Sequence, residues 1–348
     1  MASNKIRIAL DAMGGDYAPQ AVVQGATLAS REAKDEIDLI LVGDKDKIAS
    51  ELGSLENPAP SFEIRHAPES ISMEEHVAEV MRRKKDSSIA VGMNLLKGKK
   101  VDAFISGGNT GVVMATALFK LGRIEGVSRP AIASCLPSEK GIVVVLDVGA
   151  NAECKPQNLY QFALMGSIYS SHVLKAKKPK VGLLSIGEEQ SKGNELILDT
   201  HKLLSRSPLN FVGNVEGRDV LKGTCDVVVC DGFVGNIVLK FAESIDGFLV
   251  SLVRKRVKES LLFRLGAFLL KISLRDLKKS LDYAEHGGAP LLGVDGVCII
   301  CHGESSPKAI KNAIKLACNM VKNEVNSHIK EKVAQNSHIL NEAHEQKN

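Results

Sequence analysis

The sequence predicts an α/β protein: a three-layer α/β/α sandwich around a largely parallel sheet, with a helical pair projecting from it. Three observations predict it. Short runs rich in Val, Ile and Leu alternate with helix-length segments over most of the chain. Those runs are apolar at consecutive positions rather than at every second one, as in strands buried on both faces. Between residues 233 and 283 the alternation stops, and only helix-compatible sequence remains.

The strand candidates, in order, are 6–10, 39–42, 101–106, 142–147, 181–186, 211–215, 227–230 and 297–301. Helical stretches lie between them at 18–31, 87–96, 110–121, 158–174, 194–204 and 306–321. A single catalytic-sized domain therefore covers 1–333, with 240–285 as a helical insert and 334–348 as a polar tail. At 348 residues the chain exceeds a typical single core, yet large α/β sheets run this long as one unit.

Apolar residues make up 44% and charged residues 25%, a soluble globular composition. The opening stretch MASNKIRIALDAMGGD meets Asp11 before the apolar core of a secretory signal can form. No run approaches the ~20 apolar residues that span a bilayer. The expectation is a cytoplasmic protein. Seven cysteines, an odd number spread over a long chain, do not form a disulfide framework. CIICHG at 298–303 has the form of a haem-attachment motif. Strand alternation, however, points Cys298 and Cys301 to opposite faces, so both read as packed small hydrophobes. No cluster has metal-ligand spacing, and no metal or cofactor is expected.

The net charge of +4 is unevenly placed. Residues 251–280 hold nine Lys or Arg against two acids, while the rest of the chain holds 36 basic against 39 acidic residues. All of the positive excess sits in one stretch, which points to an acidic partner.

Ligands of open α/β sheets bind at the carboxyl ends of strands. Six polar, glycine-rich turns fall there: DAMGGD at 11–16, SGGNTG at 106–111, DVGANAE at 147–153, SIGEEQSKGNE at 185–195, GNVEGRD at 213–219 and DGFVGN at 231–236. The reading places all six around one cleft. The cleft lacks a dinucleotide fingerprint, a nucleoside-triphosphate loop and a G-x-S-x-G elbow. It is rich in Asn, Asp, Thr and Lys around glycines, the makings of a site that holds a small anion and polarises a carbonyl.

DAMGGD, SGGNTG, DVGAN, KGNE, GNVEGRD, DGFVGN, EHGGAPLLG and HG…KAIKNAI, in this order over nearly the whole chain, resemble the acyl-ACP:phosphate acyltransferases, the PlsX family. The resemblance implies a fold like that of the isopropylmalate dehydrogenases and phosphotransacetylases, a homodimer, and transfer of a fatty acyl group from acyl carrier protein to inorganic phosphate for phospholipid synthesis. Two stretches depart from the family pattern: HGESSPKA stands where H-G-S-S-D/N is usual, and His76 where Pro is common.

Phosphate dianion is a competent nucleophile at neutral pH and a thiolate leaves readily, its thiol having a pKa of ~8.5, so no activated serine or cysteine is required. Lys192 is the expected cation, Asn236 the oxyanion donor and Asp231 their orienting partner. Ser106, Gly108, Asn109 and Thr110 are expected to hold phosphate or the thioester oxygen, with Asp11, Asp147, Asn151, Asn194, Asn214 and Glu216 lining the cleft. Asn109, Asn236 and Asp231 have a rival reading as helix caps or turn residues. His286 is a candidate proton donor to the departing thiolate, since imidazole titrates near neutrality.

In the insert, LLFRLGAFLLKI is flanked by basic residues and is too short to span a bilayer. Arg254, Lys255, Arg256, Lys258, Leu262, Phe263, Arg264, Phe268, Leu269 and Lys271 are the expected contacts with the carrier protein and with anionic lipid at the inner face of the membrane. The same apolar residues would equally form a dimer core. A downstream membrane-bound glycerol-3-phosphate acyltransferase is a further expected partner. Nucleic acid is not, because no stacking aromatics interleave the charge. The alternatives are an NAD-dependent decarboxylating dehydrogenase of the same fold and a non-catalytic carrier-protein or lipid-binding scaffold.

Overall fold

The computed structural model describes residues 5–33, 35–55, 60–259, 263, 266 and 287–339. The chain opens with β1 (Ile6–Asp11), α1 (Gln20–Glu32), β2 (Ile37–Gly43), α2 (Lys45–Gly53), β3 (Glu63–His66), α3 (Val77–Arg83), α4 (Ser88–Lys97), β4 (Ala103–Ser106) and α5 (Thr110–Lys120). It continues with β5 (Ala131–Ser138), β6 (Gly141–Leu146), α6 (Pro156–His172), β7 (Lys180–Leu184), α7 (Glu195–Ser205), β8 (Asn210–Val215), α8 (Gly217–Lys222), β9 (Val227–Val229) and α9 (Gly232–Glu259). The remaining described elements are β10 (Ala289–Leu292), β11 (Val297–Ile300), α10 (Pro307–Lys322) and α11 (Val325–Gln335).

The strands form one sheet in the order β3-β2-β1-β4-β11-β10-β5-β6-β9-β7-β8. Pairing is parallel except at β11/β10, β10/β5 and β5/β6. Side-chain alternation sorts the apolar residues into two cores. Ile8, Leu10, Val144 and Leu146 pack on one face; Ala9, Val143 and Val145 pack on the other. Cys298 and Cys301 likewise fall in opposite cores. Burial pushes both thiols up to about 12, so neither is poised as a nucleophile or thiolate ligand.

The ladder corrects the reading of a single rim of turns. Three successive antiparallel pairings reverse the chain sense, so β6, β9, β7 and β8 run against β1, β2, β4 and β11. The turns after β1 and β4 therefore leave one edge of the ladder. Those after β6, β7, β8 and β9 leave the other. At the junction β10 gives two residues to β11 and two to β5, so the two halves are joined by a narrow strip of backbone hydrogen bonds.

Helical packing extends past residue 333, because Asn336 and Ile339 are buried. Helix α9 runs for 28 residues, from Gly232 into the stretch expected to form an insert from 240. Val238, Leu239 and Ala242 pack one side of it against the core, while Phe233, Ile237, Phe241, Phe248 and Leu252 are exposed.

Candidate active site

The first group of turns is closed by Asp11. Its buried carboxylate accepts from Ser106 Oγ at 2.6 Å and from the Met13 N–H at 3.1 Å. Burial raises its pKa, and the bonds from Ser106, Ser88, Met13 and Gly14 pull against that rise. Ser106 Oγ in turn accepts from the Gly108 N–H at 3.0 Å. A side chain at Gly14 would run into the Asp11 carboxylate and lie 2.7 Å from the Gly108 nitrogen, so the two loops meet only because position 14 is glycine. Asn109 caps α5 by accepting from the Val112 N–H at 3.1 Å, and its Nδ2 donates to the Met73 carbonyl at 2.8 Å. Its amide is thus occupied at both ends. Exposed Thr110 begins the helix behind it.

The second group lies at the ends of β6, β9, β7 and β8. Asp147 is buried and its carboxylate accepts four bonds, from the N–H groups of Ile132 (3.0 Å), Ala150 (3.0 Å) and Asn151 (2.7 Å) and from Asn151 Nδ2 (2.9 Å). Burial raises its pKa, and these bonds oppose the shift. Asn151 Nδ2 also donates to the Pro130 carbonyl at 2.7 Å, while its Oδ1 accepts from Arg129 at 3.4 Å. The start of α9 packs directly on this turn. A Cβ on Gly232 would lie 2.6 Å from Asp147 Oδ2, and one on Gly235 would collide with the Asp147 carbonyl oxygen. Asp231 accepts from the Val234 N–H at 2.9 Å and so holds the first turn of the helix. Asn236 follows, exposed, with its amide against Gly149.

Lys192 sits on the loop between β7 and α7. Its stem lies over Gly187, where an added Cβ would stand 2.9 Å from Lys192 Cγ, and the side chain is exposed. The loop is tied down by Asn214, which donates to the Glu189 carbonyl at 2.9 Å, and by Ser185 Oγ, which donates to the Lys192 carbonyl at 3.2 Å. Asn194 caps α7 through the Ile197 N–H at 3.0 Å. Glu216 caps α8 and pairs with Arg218 at 2.8 Å.

The structure thus brings together Lys192, Asn236, Asp231, Asp147, Asn151, Asn194, Asn214 and Glu216 along one edge, and Asp11, Ser106, Gly108, Asn109 and Thr110 along the other. Asp11, Asp147, Asn109, Asn194, Asn214, Glu216 and Asp231 spend their side chains on backbone or neighbouring groups. Lys255, Arg256, Lys258 and Phe263 are exposed. Arg254 lies on α9, its side chain outside the described set, and Leu262, Arg264, Phe268, Leu269, Lys271 and His286 lie outside the described residues. Sequence reasoning missed Arg129, a cation bonded to the Asp147 turn, and His201, whose Nδ1 meets Asn214 Oδ1 at 3.0 Å. Among the described residues, the carboxylates of Glu188, Glu216 and Asp219 cluster closely enough for a cation, but Arg218 already bridges Glu188 and Glu216.

The sequence pattern of the family described as "Fatty acid synthesis protein" matches residues 6–328. The phosphate acyltransferase of Dictyoglomus turgidum is 51% identical over 328 residues, 94% of this chain and 97% of its own. That of Pelotomaculum thermopropionicum is 50% identical over 318 residues, covering 91% and 92%. The chain belongs to the phosphate acyltransferase (PlsX) family. It is accordingly an enzyme. The family's fold is shared with a phosphotransacetylase from Streptococcus pyogenes, at a TM-score of 0.63 and 17% identity over 91% of this chain and 94% of that one.

Proposed function

We propose that the chain transfers a fatty acyl group from the thioester of acyl carrier protein to inorganic phosphate, supplying acyl phosphate to phospholipid synthesis. One observation carries this reading: Lys192 and Asn236 follow the adjoining strands β7 and β9, in a chain half identical to phosphate acyltransferases. A phosphate oxygen attacks the thioester carbonyl carbon to give a tetrahedral oxyanion. The C–S bond then breaks, the acyl phosphate forms, and the thiolate leaves to take its proton from solvent. The enzyme's task is to hold the dianion and stabilise the oxyanion. Lys192 neutralises phosphate and the Asn236 amide donates to the oxyanion. Arg129, at the start of β5 beside the end of β6, supplies a second cation, its guanidinium fork matching a phosphate edge. Asp147, Asn151 and Asp231 fix the backbone that carries Asn236 and Arg129.

The Thr110 end of α5 offers a further anion-facing turn. Four ladder steps separate β4 from β6. At about 20–25° of twist per step, the two halves turn by roughly a right angle to one another.

The exposed row on α9 supports pairing with a second copy, because its residues recur at helical spacing on one side. The basic end of α9, at Lys255, Arg256 and Lys258, suits an acidic carrier protein and the anionic inner face of the membrane. There the product would meet the glycerol-3-phosphate acyltransferase. No helix among the described residues is long and apolar enough to cross a membrane. Sedimentation equilibrium is expected to give twice the 37.4 kDa chain mass; a single chain mass would remove the pairing.

The reaction is tested by following free thiol released from long-chain acyl-ACP by the purified protein, with no nucleotide or metal added. Release is expected to saturate with phosphate. Equal release without phosphate would make the chain a thioesterase, and binding without release would favour the scaffold.

A further inference from the structure

We infer that His201 and Asn214 act as a positioning pair for Lys192, setting the loop between β7 and α7 from the neighbouring strand. The inference rests on Lys192 being the cation of the proposed reaction. The loop makes few backbone bonds of its own: Ser185 N–H to the Val215 carbonyl at 2.8 Å, and Lys192 N–H to the Glu189 carbonyl at 3.0 Å. Beyond these, Glu188 pairs with exposed Arg218 at 3.0 Å, while Ile186 is 82% exposed and glycines stand at 187 and 193. A loop of this composition has many conformations to lose. Something outside it has to choose one.

Asn214 does so from the end of β8. Its side chain is buried, at 5% exposure, and Nδ2 donates to the Glu189 carbonyl at 2.9 Å and to the Lys192 carbonyl at 3.4 Å. Both Nδ2 hydrogens therefore point into the loop, and Oδ1 points away from it. That oxygen meets His201 Nδ1 at 3.0 Å. With Nδ2 committed to carbonyls, Oδ1 is an acceptor, so Nδ1 of His201 carries the proton. His201 is itself held, at 8% exposure on α7, by an edge contact with the Phe211 ring at 5.1 Å between centroids. The chain of bonds runs His201 to Asn214 to the Lys192 carbonyl, where Ser185 Oγ adds a second donor at 3.2 Å. Only a carboxamide presents two donors to the loop and one acceptor to the ring. A carboxylate of the same shape would face two carbonyl oxygens with lone pairs.

The pair acts on the reaction entirely through Lys192. That makes it separable. Asn214→Asp, Lys192→Ala and the double variant are assayed for phosphate-dependent thiol release from acyl-ACP. Asn214→Asp alone is expected to lower kcat/KM by on the order of 10–100-fold, the scale of an ångström's misplacement of a reacting group. In the Lys192→Ala background it is expected to change nothing further. Multiplicative loss in both backgrounds would overturn the inference and give Asn214 a direct or purely structural role. An inactive-loop reading fails separately: if Lys192→Ala retains full activity, the proposed role of Lys192 falls first. Should Asn214→Asp not fold, His201→Gln, which keeps an N–H donor, is compared with His201→Phe, which does not. The glutamine is expected to retain most of the turnover and the phenylalanine to lose it at equal melting temperature. Equal activities would overturn the pair.

Discussion

Lys192→Ala is expected to lower phosphate-dependent acyl transfer by on the order of 10²–10³-fold, the usual loss when one preorganised charge-stabilising donor is removed, with the fold unchanged. The side chain is exposed and packs only its stem, over Gly187, so truncation opens no cavity and strands no buried partner. What it removes is the ammonium proposed to face phosphate. Without it the dianion is held less firmly against the thioester, whose carbonyl oxygen takes up the negative charge as the phosphate oxygen attacks. Lys192→Arg is expected to recover only part of the rate, because the guanidinium is broader, planar and set on a longer reach. Circular dichroism and the melting temperature serve as the control. Full activity in Lys192→Ala would move the cation elsewhere, with Arg129 next in line.

Eight of the strands were legible because each is a dense Val/Ile/Leu run, and their bounds differ from the expected ones by a few residues at most. β3, β5 and β10 were not. β3 reads EIRH, an edge strand with mostly exposed side chains. β5 and β10 each contain a proline, Pro137 and Pro290, which argues against a strand when only the sequence is in view. These two are the antiparallel members that reverse the sheet. Missing them left only parallel strands in sight, and parallel strands put every turn on one rim.

The candidate site was legible in the same uneven way. Glycine-rich turns announced where loops meet, as Gly14 and Gly235 bear out by close approach. They did not announce which side chains remain available. Asn109, Asn194, Asp231 and Glu216 each stand before a helix, and the structure spends all four on capping it. Arg129 belongs to no motif and is placed by the β5–β6 pairing. His201 reads as one more helical residue until β8 brings Asn214 against it.

Gly235→Ala is expected to damage stability and activity together. The added methyl would collide with the Asp147 carbonyl oxygen and come within 2.9 Å of Asp147 C and Cys230 Sγ. The worst of these neighbours is backbone, so no rotamer relieves the clash. Nor can the Asp147 turn retreat, because its carboxylate is held by the N–H groups of Ile132, Ala150 and Asn151. The helix has to lift instead, and overpacking of this kind costs about 1–3 kcal/mol or more. Asn236 is the next residue and moves with it. A displacement of about 1 Å at a reacting group is worth up to ~10²-fold in rate, so turnover should fall further than the folded fraction does. Gly247→Ala on the same helix is the matched control. Among the described residues nothing lies within 4 Å of its added methyl, and replacing a helical glycine there should stabilise by roughly 0.5–1 kcal/mol. If Gly235→Ala melts with the unaltered protein and turns over as fast, α9 does not seat on the Asp147 turn, and Asn236 loses its proposed place in the reaction.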